Sequence, residues 1–158
     1  MKTLHIVRHG KALQDYFNLQ DHDRTLIEKG IVNSISFAHQ LRQQYAAPGL
    51  MISSFAARAL HTAHIFAKAM NYPHERVQVN EKLYMGGENV IYNILESLPD
   101  ELESVMIVGH NPDVTFVANT YGCNTVSIPT SGVVTIRFKA DRWSEISKSK
   151  ATQVQKLF

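Results

Sequence analysis

The chain has 158 residues, 44% of them hydrophobic and 19% charged, and a formal net charge of +2. That length suits one domain with a sizeable core, 1–158, while the small charge and the lack of a basic stripe exclude a nucleic-acid partner, and the lack of a long apolar run excludes a membrane one. A single cysteine, Cys123, excludes an internal disulfide and fits a reducing compartment, and the brief apolar run after Lys2 does not make a secretory signal, so a cytoplasmic location is expected.

Leu4-His5-Ile6-Val7 reads as a strand buried on both faces, ending abruptly in Arg8-His9-Gly10. Residues 11–24 read as a polar loop over the strand's exit. Thr25-Leu26-Ile27-Glu28 has the capping-box pattern, which predicts Thr25 as N-cap of a helix with Ile31, Ile35, Ala38, Leu41 and Tyr45 on its inner face. Leu50 to Ser53 is a second short strand. A turn through Ser54-Phe55-Ala56-Ala57-Arg58 leads into a helix that presents Leu60, Ala63, His64, Ala67 and Met70 and stops before Pro73.

Val77-Gln78-Val79 is a brief third strand, and Asn80 to Glu88 a glycine-containing loop. Val90, Ile91, Ile94, Leu95 and Leu98 mark the next helix. Val105-Met106-Ile107-Val108 is a second fully buried strand, running straight into Gly109-His110-Asn111-Pro112, where Asn111 suits an N-cap and Pro112 the first helical position. Val134, Ile136 and Phe138 alternate with Thr135 and Arg137, the pattern of a half-exposed antiparallel edge strand. Gln153 to Phe158 can add one more strand. Strands alternating with helices predict a three-layer α/β/α domain with a mostly parallel sheet and one antiparallel edge strand.

In such sheets ligands bind beyond the carboxyl ends of the strands. Here those exits carry Arg8 and His9, then Arg58, then His110. Two arginines, two imidazoles and the N-termini of two following helices form an anion site, and a neutral imidazole among them can act as a nucleophile.

The Arg8-His9-Gly10 stretch resembles the Arg-His-Gly signature of the histidine phosphatase superfamily, the phosphoglycerate mutase-like group. Ser54-Phe55-Ala56-Ala57-Arg58-Ala59-Leu60-His61-Thr62-Ala63 is similar to its Ser-Pro-x-x-Arg-Ala-x-Gln-Thr-Ala segment, with Phe55 and His61 as departures. Gly109-His110-Asn111-Pro112 resembles its second-histidine motif as found in short phosphohistidine phosphatases of the SixA type. Arg24-Thr25-Leu26 with Gly30, and Pro129-Thr130-Ser131-Gly132, match further segments of those proteins. Asn80-Glu81-Lys82 stands where mutase-like members carry a catalytic acid.

The resemblance implies that His9 attacks phosphorus and forms a phosphohistidine, which water hydrolyses. Arg8, Arg58 and a protonated His110 would hold the phosphoryl oxygens, Glu81 would protonate the leaving group, and Arg24 would contact the anion at the rim. No cofactor and no metal is expected. A short chain leaves little room for a lid, which implies a phosphoryl group displayed on a protein, in particular a phosphohistidine. A small-molecule phosphomonoesterase and a non-catalytic phosphate-recognition module are the alternatives.

Two other patterns carry less. Asp21-His22-Asp23-Arg24-Thr25 fits the Asp-x-Asp-x-Thr motif of magnesium-dependent aspartyl phosphatases, but no hydrophobic strand precedes it. His61 and His64 have the spacing of a metal-ligand pair, yet no third ligand stands near them in sequence, so they read as core or boundary residues.

Overall fold

A computed structural model describes residues 1–14 and 18–158; residues 15–17, inside the predicted 11–24 loop, lie outside the described residues. Six strands form one sheet: β1 (Lys2–Arg8), β2 (Leu50–Ser53), β3 (Gln78–Val79), β4 (Ser104–Gly109), β5 (Val133–Phe138) and β6 (Ala151–Leu157), in the order β3-β2-β4-β1-β5-β6. Strands β1 to β4 pair in parallel, and β5 runs antiparallel to β1. The antiparallel strand is the one the sequence predicts. The final segment, β6, pairs with it from outside, so only Arg137 of β5 is exposed and the expected half-exposed alternation is lost.

Four helices cover the two faces: α1 (Glu28–Arg42) and α2 (Ala57–Ala69) on one, α3 (Glu88–Glu96) and α4 (Asp113–Thr120) on the other. The apolar run of β4 and that of β1, interrupted only by His5, divide by alternation between the two layers. Leu4, Ile6, Val105 and Ile107 pack with Ile91 and Leu95 of α3 and Val114 and Val117 of α4. Val7, Met106 and Val108 pack with Ala38 and Leu41 of α1 and Phe66 of α2. His5 shares the second face. It is 1% exposed, its Nδ1 lies 2.8 Å from Thr135 Oγ1, and its ring stands edge-on to Tyr45.

The start of α1 corrects the capping-box reading. Thr25 is not the N-cap; Ile27 is, and no side chain caps it. The Thr25 carbonyl accepts instead from Leu13 N–H at 3.0 Å, Leu26 bridges to Ala12, and Ile27 N–H donates to Lys11 O at 3.0 Å. Backbone pairing with the loop after β1 therefore displaces the cap. The inner face of α1 differs too: Gly30, Ser34, Ala38 and Leu41 are buried, whereas Ile35 is exposed.

The cause is how close the helix comes to the Gly10-Lys11 backbone. A Cβ on Gly30 would sit 2.2 Å from Lys11 O, and one on Gly10 would sit 2.9 Å from Gly30 O. Only small residues fit this crossing. α4 also starts one residue later than expected, with Pro112 as N-cap.

Gly30→Ala should destabilise the fold by about 3 kcal/mol, because the added methyl meets backbone that cannot rotate away; a urea midpoint unchanged from the parent would refute the crossing. Burial lowers the pKa of His5 to about 4, below its ordinary value of 6.5. The native state binds the proton more weakly than the unfolded chain, so this stability is complete above about 6.5 and is lost as pH falls towards 4. The loss is on the order of 3 kcal/mol. His5→Gln should give a shallower fall in stability across that range, and an unchanged slope would rule out His5 as a contributor.

Candidate active site

β1 and β4 are neighbours, yet the chain leaves β1 towards one helical layer and β4 towards the other. A crevice opens between them at their carboxyl ends. Their register pairs Arg8 with Gly109, so the next residue on each strand is a histidine. His9 N–H donates to Gly109 O at 3.1 Å, and the rings of His9 and His110 lie 5.1 Å apart between centroids. Arg58 enters from the first turn of α2, and its Nε donates to His9 Nε2 at 3.4 Å. His9 is thus in reach of both His110 and Arg58, and Arg8 lies on the same cleft. They line an open cleft of about 780 Å³ with Arg24, Lys11, Asp21, Tyr84 and Asp113.

The tautomer of His9 follows from its partner. Nδ1 lies 2.7 Å from the Gly10 carbonyl oxygen, which can only accept, so Nδ1 carries the hydrogen. The lone pair is then on Nε2, on the Arg58 side. Burial is the main cause that lowers the His9 pKa to about 3; the Gly10 bond opposes it, and His110, Arg58 and Arg8 lower it further. His9 is a neutral imidazole whose unprotonated Nε2 faces the Arg58 Nε–H.

His110 bonds through Nε2 with Ser54 Oγ at 2.8 Å. Its pKa falls to about 4, again chiefly by burial and next by Arg58. With that value His110 is neutral near pH 7, in contrast to the protonated His110 of the expected mechanism. Arg8 Nη1 donates to Ile128 O at 2.8 Å, and Arg8 Nε is buried with no partner among the described residues. Such an orphan donor marks a place where an anion oxygen fits.

Supporting contacts account for the motif residues that carry no charge. The Thr62 hydroxyl accepts from Gly10 N–H at 2.9 Å and donates to Arg58 O at 2.7 Å, tying α2 to the loop after β1. Asn111 Nδ2 donates to Ile128 O at 3.0 Å, the same carbonyl that receives Arg8. Ser131 N–H bonds to the carbonyls of Arg8 and His9, each at 3.1 Å, and its hydroxyl bonds with Ser34 Oγ at 2.8 Å.

Arg24 lies on the cleft as expected, held by Asp21 Oδ1 at 2.9 Å from Nε and 2.8 Å from Nη2. Glu81 does not. It stands exposed in the short turn Glu81–Leu83, outside the residues that line the cleft. Leu83 anchors that turn in the core, which leaves Tyr84 on the cleft and Glu81 in solvent.

The residues that sequence reasoning missed are Asp21, Tyr84 and Asp113. Asp21 sat inside a pattern read for a different chemistry. Asp113 is the third residue after His110, a position that announces nothing until α4 turns it to the cleft. Phe55 packs against Tyr84 and His22, with ring centroids 5.2 Å apart in each pair. His64 sits at the boundary of α2, its Nδ1 2.9 Å from that of His74.

No family model matches the sequence. A curated protein of Mycobacterium leprae, itself uncharacterised, is 26% identical over 147 residues, 87% of this chain and 88% of that one. A protein of Agrobacterium tumefaciens, named as a candidate phosphohistidine phosphatase SixA, superposes with a TM-score of 0.77 at 24% identity over 87% of this chain and 92% of that one. The fold is that of the histidine phosphatases. A protein histidine phosphatase SixA in complex with tungstate has the same histidine phosphatase fold, with a TM-score of 0.75 at 22% identity over 99% and 94% of the two chains. The phosphoglycerate mutase of Bacillus anthracis gives 0.63 at 16% over 85% and 87%.

Nitrogen NMR of the His9 ring at pH 7 should show a neutral imidazole with the proton on Nδ1. A signal from an Nε2-protonated ring, or from an imidazolium, would contradict the site as described.

Proposed function

We propose that this chain is a phosphohistidine phosphatase that removes phosphoryl groups from a phosphoprotein through a phosphohistidine formed on His9. The observation that carries this reading is the unprotonated Nε2 of His9 facing the Arg58 guanidinium, with the His110 ring 5.1 Å away. A module that only bound phosphate would gain nothing from a neutral nucleophile set among its cations. The named SixA relatives support the same chemistry.

In this reading the Nε2 lone pair attacks phosphorus. The bond from phosphorus to the leaving group breaks, and its electron pair departs with that group. Arg8 and Arg58 hold the phosphoryl oxygens, and the orphan Arg8 Nε–H gains an acceptor. The dianion also supplies the counter-charge that draws a proton onto His110. Water then attacks the phosphohistidine and gives its proton to the carboxylate that protonated the leaving group, the P–N bond breaks with its electron pair returning to Nε2, and orthophosphate leaves His9 neutral again.

The leaving group needs a proton, and Glu81 is exposed and does not line the cleft. Two of the lining residues are carboxylic acids. Hydrogen bonds from Tyr84, Arg58 and Arg24 hold Asp21 ionised, well below the usual carboxylate range. Burial and then Glu88 push Asp113 up, so Asp113 is the better proton donor. The protein-substrate half of the reading rests on the open mouth, where Met85 of the rim is 85% exposed.

Incubation with a phosphohistidine protein should give an acid-labile, alkali-stable label on His9, absent in His9→Ala. Arg58→Ala should lower kcat by roughly 10²–10³. Glu81→Gln should leave kcat within about twofold, since surface changes away from the site rarely matter, while Asp113→Asn should slow substrates with poor leaving groups most. Small phosphate esters hydrolysed with far higher kcat/KM than the phosphoprotein would overturn the substrate class, and no label on His9 would overturn the mechanism.

A further inference from the structure

Asp21 poses a physical problem. A carboxylate beside two arginines weakens an anion site by simple Coulomb attraction for the same cations. Yet Asp21 has the densest set of contacts on the cleft. Its Oδ1 takes Nε and Nη2 of Arg24, at 2.9 and 2.8 Å. Its Oδ2 takes Nη2 of Arg58 at 3.0 Å and the Tyr84 hydroxyl at 2.6 Å. Its backbone carbonyl takes Arg58 Nη1 at 2.7 Å and Arg24 N–H at 3.2 Å. All three polar atoms of the residue that can accept are in use.

The Arg58 guanidinium is planar, and its side chain is 6% exposed. Fixing both terminal nitrogens of a planar group fixes where its third nitrogen points. The third nitrogen is Nε, and it points at His9 Nε2, 3.4 Å away. Asp21 itself does not touch His9 or His110 by any hydrogen bond. Arg24, from outside the cation pair, and Tyr84, from the turn after β3, hold the carboxylate in place.

We propose that Asp21 is a positioning residue: it clamps the terminal nitrogens of Arg58 so that the Nε edge of the guanidinium is fixed on the attacking nitrogen of His9. The single turn at Asp21–Asp23 is therefore part of the active site and not a loop that merely passes over it. The gain from a preorganised cation outweighs the loss from a nearby negative charge. This deepens the phosphatase reading and rests on it for its kinetic consequence. The geometric claim stands by itself.

Two measurements test it. In the ligand-free protein, the Arg58 Nε–H resonance should be resolved and slow to exchange with solvent, and should lose that protection in Asp21→Asn. Protection that survives Asp21→Asn overturns the clamp, whether or not the protein is a phosphatase. In kinetics, Asp21→Asn should lower kcat for the phosphohistidine protein roughly 10- to 100-fold. The same change made in an Arg58→Ala background should alter kcat by no more than about twofold, because the clamp then has nothing to hold.

Tyr84→Phe, which removes one of the donors to Asp21, should move kcat in the same direction by a smaller factor, with an unchanged thermal midpoint. An equal loss in both backgrounds would mean a general structural role, and a gain in kcat would mean that Asp21 only competes for the cations; either overturns the proposal. A wild-type protein without turnover on any phosphorylated substrate would overturn the phosphatase reading alone, and the resonance would still decide the clamp.

Discussion

The parallel pairing of β1 with β4 is the constraint on which the site depends. The register sets Arg8 against Gly109, and each strand stops there. Two histidines a hundred residues apart in sequence then lie side by side with no further device. Because both strands are buried between two helical layers, the pairing cannot slip by a residue without turning Leu4, Ile6, Val105 and Ile107 towards the wrong layer. The core thus protects the geometry of the cleft as well as the fold.

Around that pair, burial and charge act together on the imidazoles. Desolvation contributes more than the arginines to keeping His9 and His110 neutral. The arginines act on both rings in the same direction with a smaller effect. Their charge is tempered by Asp21, so the cleft is less cationic than a count of basic residues suggests.

The sequence is most legible where one physical demand dominates a stretch. The apolar run of β4, and that of β1 with only His5 inside it, can only be buried strands, and the cations just beyond them can only lie at the sheet edge. The inner face of α1 is harder to read because the apolar residues there, Ile31 and Ile35, are not the ones the fold needs. Its backbone passes so close to Gly10 and Lys11 that Gly30 and Ser34 must face inwards. The Thr25 cap fails for a related reason, since pairing with Leu13 uses its carbonyl in an extended segment. Glu81 and Asp113 could not be ranked from spacing alone: which carboxylate reaches the cleft depends on where Leu83 anchors one turn and where α4 begins. Asp21 was hidden because its partners, Arg58 and Tyr84, come from elements remote in sequence.

The carbonyl of Ile128 has one more consequence. An amide oxygen has two lone pairs, and here one takes the Arg8 guanidinium and the other the Asn111 amide. It has nothing left to offer a visitor. Ile128 itself is fully buried, so this oxygen is an interior anchor and does not line the cleft. Arg8, at the end of β1, and Asn111, beyond the end of β4, are therefore moored to one shared point, and a shift of either strand end would have to break a bond at that oxygen.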